Sequence, residues 1–242
     1  MKVTVITVCR DAESSVKNTI ESVLGQKNAD IEYIIIDGKS TDKTLSIARN
    51  YSSIKIVSES DKGIYDAMNK GVTRSTGKII CFMNAGDKFH SENVVENVVG
   101  EFRDKKIDGL FGDVYLLGEN GAPTMIKRQK SVNNGFLMHD SICHQSMFAK
   151  RDLFKKYGGF DLKYPLAADF EWFLRMTKKY RAKFPYANLI IADYQLGGFS
   201  SDKTRYDREH NEIIKLYYSL AQIIFYKLLS KFNRFSKYYQ KI

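Results

Sequence analysis

Residues 3–44, VTVITVCRDAESSVKNTIESVLGQKNADIEYIIIDGKSTDKT, decide the fold. Residues 3–8 are a short β-branched run without polar alternation, the pattern of a strand buried on both faces. Between Ser14 and Leu24 the apolar residues Val16, Ile20, Val23 and Leu24 recur at helical spacing, and residues 31–36 repeat the buried-strand pattern. Ser40, Thr41 and Asp42 then offer capping side chains ahead of Leu45, Ile47 and Ala48. The alternation continues with a strand at 54–57, a helix at 64–72 with Ala67, Met68 and Val72 inward, and a strand at 78–83. Strands and helices in turn, joined by short links, predict parallel βαβ units in a doubly wound, Rossmann-like α/β sheet.

After about residue 100 the pattern changes. Residues 110–117 and 124–127, separated by Glu119-Asn120-Gly121, read as a hairpin with an Asn-Gly turn. Residues 169–180 read as one helix, with Phe170, Phe173, Leu174 and Thr177 inward and Arg175, Lys178 and Lys179 exposed; Trp172 is expected in the core. Residues 184–194 return as a strand. With no linker rich in Pro, Gly or Ser and no repeat, one continuous body is expected. Its parts are an α/β half (1–100), a mixed α+β half (101–200) and a basic amphipathic helical tail (201–242).

Hydrophobic residues make up 43% of the 242 and charged residues 27%, which excludes a disordered or fibrous chain. Cys9, Cys81 and Cys143 are odd in number and far apart, so they read as reduced residues with no disulfide or zinc framework. The N-terminus lacks the apolar stretch and cleavage site of a signal peptide, and no window reaches the ~20 apolar residues of a membrane span. A cytoplasmic protein, soluble or peripheral on the inner face of the plasma membrane, is expected.

In an open α/β sheet ligands bind at the carboxyl ends of the strands. Here the four ends are Thr7-Val8-Cys9-Arg10-Asp11, Asp37 to Asp42, Ser58 to Gly63, and Asn84-Ala85-Gly86-Asp87. All are polar. No G-x-G-x-x-G and no P-loop follows any of them, nor is there an H-E-x-x-H or G-x-S-x-G, so dinucleotide redox chemistry and P-loop phosphate binding are disfavoured. Carboxylates at strand ends suit a hydrogen-bond acceptor for a base and a hard cation against a diphosphate.

TVITVCRDAESSVKNTIESVLGQ, IEYIIIDGKSTDKT, GKIICFMNAGD and AADFEWFLRM, in this order and spacing, resemble the inverting family 2 glycosyltransferases of GT-A fold. The likeness covers roughly residues 1 to 200 and is strongest to the bacterial branch that builds polysaccharides. It implies transfer of a sugar from a nucleotide-sugar donor, UDP-sugar ahead of GDP- or dTDP-sugar, to an acceptor hydroxyl. By position, Thr7 and Arg10 open the nucleotide pocket, Asp37 accepts from the base, and Asp61 and Lys62 lie near the nucleotide. Asp87 holds Mn²⁺ or Mg²⁺, and Asn84 stands where an aspartate is commoner, offering a neutral and weaker ligand. Asp169 is the catalytic base, with helix capping as its alternative role. Glu171, about 200° away round the helix, does not share that role. Asp113, His144 and Gln145 are candidates for the acceptor side, against strand-end structure and plain hydrogen bonding.

Residues 213–242 carry six Lys or Arg and no Asp or Glu, out of a net charge of +10. Lys227, Lys231, Arg234, Lys237 and Lys241 fall on one helical face and Phe225, Leu228, Leu229, Phe232, Phe235 and Tyr239 on the other. Such a helix either lies in an anionic lipid interface or packs on the body or a second subunit. A lipid-linked saccharide acceptor fits the first option. Nucleic acid is not an expected partner, because the charge comes without an aromatic-basic platform. The rival functions are a non-catalytic nucleotide-sugar-binding protein and a sugar nucleotidyltransferase. The second needs a glycine- and arginine-rich loop after the first strand, which CRDAES lacks.

Overall fold

The computed structural model describes residues 1–118, 121–130, 132–195, 202–232 and 239–241. The opening pattern becomes β1 (Val3–Cys9), α1 (Val16–Leu24) and β2 (Ile31–Asp37), followed by α2 (Thr44–Arg49), β3 (Lys55–Ser58), α3 (Ile64–Arg74) and β4 (Ile79–Phe82). The four strands are parallel, in the order β3-β2-β1-β4. Alternate residues of β1 and β2 feed two cores, one on each face of the sheet. Val3, Val5 and Ile35 join α1 on one side, and Ile6, Val8 and Ile34 meet α3 on the other. Gly71 lets α3 close onto β1, since a Cβ there would lie 2.5 Å from Ile6 Cγ2.

The second half extends the sheet with antiparallel pairs. It comprises β5 (Lys88–Phe89), α4 (Val94–Asp104), β6 (Gly109–Leu117), β7 (Pro123–Lys127), α5 (Asn134–Leu137), β8 (Met147–Lys150), α6 (Arg151–Tyr157), α7 (Ala168–Leu174) and β9 (Tyr186–Gln195). β8 inserts antiparallel between β4 and β6, and so joins both halves into one sheet. β6 and β7 pair as a hairpin, as expected, though Glu119 and Asn120 of its turn lie outside the described residues. Trp172 is fully buried and stacks on Phe154 at 4.2 Å between centroids.

Two expectations need correction. The helix at 169–180 ends at Leu174 and continues as a wider π turn, Arg175–Lys179. Arg175 is not an exposed residue: it pairs with Glu171 (3.0 Å) and donates to the carbonyls of Tyr157 and Gly159, tying α7 to the end of α6. The tail is not one helix. α8 (Lys203–Tyr217) and α9 (Leu220–Phe232) are followed by β10 (Tyr239–Lys241), which pairs antiparallel with β7. The β7 edge offers unpaired backbone groups that a short β-branched or aromatic segment can satisfy, and this overrides the helical spacing. Arg234, Phe235 and Lys237 lie outside the described residues. No described helix is long and apolar enough to cross a membrane, and the three cysteines are free.

Candidate active site

The register of the parallel strands brings their carboxyl ends level. Cys9 pairs with Asp37, and Asp37 with Ser58. Beyond β4 the chain turns beside Val8, whose carbonyl accepts from Ala85 N (3.4 Å). A cavity of about 610 Å³ opens at this end of the sheet. Its walls include Arg10, Asn84, Asp87, His144 and Asp169, drawn from segments far apart in sequence.

Asp169, in the first turn of α7, has its side chain 12% exposed. Its Oδ1 accepts from Tyr65 Oη (2.9 Å) and from Phe170 N (2.8 Å), and its Oδ2 lies 3.0 Å from His144 Nδ1. His144 Nε2 in turn lies 3.0 Å from Asn84 Nδ2. With Asn84 Nδ2 facing it as a donor, Nε2 accepts and the imidazole proton lies on Nδ1, aimed at Asp169. A carboxylate oxygen has two lone pairs in plane. Oδ1 has both engaged, whereas Oδ2 keeps one for a proton arriving from the cavity. Burial and the neighbouring Asp169 carboxylate push the Tyr65 phenol well above its usual value, so it stays a donor.

The segment leading into Asp169 is held from α8. Glu209, 6% exposed, accepts from Leu166 N (2.9 Å) and Ala167 N (3.1 Å). On the opposite wall, Thr19 of α1 brackets the 84–87 loop: its hydroxyl donates to Asp87 O (2.7 Å) and accepts from Gly86 N (3.0 Å). Gly86 has φ +105°, a conformation that side chains disfavour. Asp87 itself is 4% exposed, with Oδ2 accepting from Gln145 Nε2 (2.9 Å) and Oδ1 from Gln195 N (3.0 Å). Desolvation raises its pKa to about 6, against the lowering effect of those two donors and of nearby His144.

The profile of glycosyl transferase family 2 matches residues 4–158, which takes in the four strand ends and the 144–145 segment. The chain belongs to that family. Among curated relatives, this family 2 glycosyltransferase is 31% identical over 194 residues to the PGL/p-HBAD biosynthesis glycosyltransferase of Mycobacterium bovis (strain BCG / Pasteur 1173P2), covering 75% of this chain and 72% of the relative. It is 29% identical over 126 residues, half of each chain, to TuaG of Bacillus subtilis (strain 168), a putative teichuronic acid biosynthesis glycosyltransferase. Its fold is GT-A. The S. aureus TarS 1-349 structure in complex with UDP-GlcNAc superposes with a TM-score of 0.70 at 17% identity, over 90% of this chain and 65% of that one. The mannosyltransferase PcManGT from Pyrobaculum calidifontis, in complex with GDP-Man and Mn2+, gives 0.66 at 14% identity, over 98% and 80%.

Within the glycosyltransferase, several residues singled out from sequence lie elsewhere than expected. Thr7 is fully buried, donating to Met83 O (2.6 Å) and facing Tyr33 Oη (3.0 Å); strand alternation turns it away from the cavity and leaves Val8 there instead. Asp37 is also fully buried. Its carboxylate accepts from the Ser40 hydroxyl, from Ser40 N (3.1 Å) and from Ser58 Oγ (2.6 Å), so it braces two strand-end loops and is not on the cavity wall. Asp113 lines a separate cavity of about 360 Å³, bonded to Arg128 (3.0 Å), Gln129 N (2.6 Å) and Tyr186 (2.9 Å). It does not reach an acceptor in the main cavity. Gln145 lines the main cavity and also donates to Asp87 Oδ2 (2.9 Å).

Arg10 lies at the cavity mouth with its side chain 72% exposed, 3.8 Å from Asp11. Asp61 accepts from Gly63 N (2.9 Å) and crosses Gly38, where a Cβ would come within 2.6 Å of its Oδ2. That glycine therefore leaves room for the Asp61 carboxylate. Lys62 is exposed, its backbone N–H bonded to Asp66 (2.9 Å). Tyr65, Thr19, Glu209 and Gln195 were not picked out from sequence. Only Tyr65, in the first turn of a helix following a strand end, carried a positional signal.

A divalent cation can be tested against these donors. Asn84 Oδ1 is buried with no hydrogen-bond partner, and Asp87 stands three residues on in the same loop. Two hard oxygens on one cavity-lining loop suit an ion that would take its remaining ligands from phosphate and water. Among the described residues no cluster of three His, Cys, Asp or Glu forms an all-protein cage. The donor set fits.

Proposed function

We propose that this chain transfers a sugar, with inversion, from a nucleotide-sugar donor to an acceptor hydroxyl, with a UDP-sugar as the first choice of donor. The observation that carries the reading is one cavity lined by both a proton acceptor, Asp169, and the 84–87 loop, with His144 joining them. Asp169 Oδ2 takes the proton of the acceptor hydroxyl as that oxygen forms its bond to the anomeric carbon, and the nucleoside diphosphate leaves from the opposite face. His144 and Tyr65 hold the carboxylate in place, leaving Oδ2 open toward the cavity. Asp87, with Asn84 Oδ1, is the place for Mn²⁺ or Mg²⁺, which supplies positive charge against the departing diphosphate. Arg10 stands at the mouth as a further cation for the donor.

The relatives support this donor and a cell-surface glycan or glycolipid product. TarS is described with UDP-GlcNAc, and the mycobacterial and Bacillus proteins are named for PGL/p-HBAD and teichuronic acid biosynthesis. The acceptor is accordingly a saccharide or a lipid-linked saccharide. A thermal-shift panel of UDP-, GDP- and dTDP-sugars with and without Mn²⁺ tests the reading, since a ligand stabilises the state it binds. A metal-dependent rise with a UDP-sugar is the expected result. No shift with any nucleotide sugar contradicts the proposal.

A further inference from the structure

α9 turns a broad apolar side to solvent. Leu220, Ile224, Phe225, Leu228 and Leu229 are 46% to 74% exposed, while Ile223 and Tyr226 pack on the body. Asn134 of α5 donates to Tyr226 Oη (2.9 Å), which fixes the helix in that orientation. At ~100° per residue the five exposed side chains span about half the helix circumference, with Lys227 at one border. Scattered single apolar residues are ordinary on a protein surface, but five side by side on one helix mark a contact surface.

The charge around this face selects its partner. α9 carries two basic residues, Lys227 and Lys231, and no acidic one, so pairing two copies through it would oppose like charge to like. An anionic surface with an apolar interior satisfies both features. We propose that α9 docks the protein on an anionic phospholipid bilayer, its apolar side in the interface and its basic residues among the headgroups. The position of the helix relative to the cavity gives this docking a purpose. Tyr226 is bonded to Asn134 at the start of α5 (2.9 Å), and α5 leads through Met138 and His139 toward the cavity. The next residues, Asp140 to Gln145, line the cavity. Docking through α9 thus holds that rim near the bilayer, where a lipid-linked acceptor presents its hydroxyl. This last step rests on the transferase reading above; vesicle binding does not.

The test is flotation of the 242-residue chain with phosphatidylcholine vesicles, with or without about 30 mol% phosphatidylglycerol. The wild type is expected to float with the anionic vesicles only, and less at high salt. An Ile224→Glu/Leu228→Glu variant is expected to partition at least ~10-fold more weakly while keeping its circular dichroism and its UDP-sugar thermal shift. Wild type that stays unbound, that floats equally with pure phosphatidylcholine, or that forms a dimer dissolved by the double substitution overturns the proposal. Intact flotation without any nucleotide-sugar shift would instead count against the donor reading and leave the docking face standing.

Discussion

Replacing Asp87 by asparagine should make the protein more stable at neutral pH and disable its chemistry. Asp87 is 4% exposed and its pKa is raised from 3.8 to about 6 by desolvation. A carboxylate whose folded pKa lies above its unfolded value is held protonated by the fold. The resulting penalty is absent well below 3.8, grows as pH rises through the interval and is complete above about 7. The interval between 3.8 and about 6 is worth about 3 kcal/mol at ~1.4 kcal/mol per pH unit. Asparagine removes that charge and keeps an acceptor for Gln195 N, while Gln145 can turn its amide to present oxygen. For a chain of this length about 3 kcal/mol corresponds to a Tm rise of about 6–12 °C. Differential scanning fluorimetry at pH 7.5 and 4.5 reads it: a rise at the higher pH that shrinks to about a third at the lower. The variant should also lose Mn²⁺-dependent stabilisation by the donor. A lower Tm than wild type at pH 7.5, or a pH-independent difference, refutes the reasoning.

Three other substitutions separate chemistry from scaffold. Asn84→Asp replaces the amide that donates to His144 Nε2 by a carboxylate that only accepts, disturbing the ring that orients Asp169; steady-state kinetics should show kcat at least ~10-fold lower. Glu209→Gln loosens the backbone that carries Asp169, so turnover should drop about fivefold or more with donor binding intact, as shown by steady-state kinetics beside titration calorimetry. Asp113→Asn weakens the Arg128, Gln129 and Tyr186 contacts in the second cavity; it should cost about 1–3 kcal/mol in denaturant unfolding and leave kcat and KM as in wild type.

Much of this was legible from residue pattern, and the exceptions have physical causes. The parallel strands announce themselves as continuous β-branched runs because both faces of β1, β2 and β4 are buried. Asp87 and Asp169 were singled out through the resemblance to family 2 glycosyltransferases, and the structure sets one after a buried strand and the other at the start of a helix. Thr7 and Asp113 were misplaced because alternation along a strand reverses direction at every residue, and proximity to a strand end does not say which face a side chain takes. Asp37 was misread for another reason: whether a carboxylate is free or already satisfied depends on partners such as Ser58, which lies on a different strand. Glu209 acts across 40 residues of sequence and leaves no local trace. β10 defied its helical spacing because pairing with an open sheet edge outweighs propensity in so short a segment.

The central claim is that Asp169 is the proton acceptor of a sugar transfer whose donor occupies the cavity beside it. The most direct test compares wild type with Asp169→Asn for release of nucleoside diphosphate from a UDP-sugar with Mn²⁺, together with the donor Kd of each. The account expects release by the wild type, a rate at least ~100-fold lower in the variant, and a donor Kd within about threefold of wild type. Undiminished release by Asp169→Asn, or a loss of rate explained wholly by lost donor binding, contradicts it.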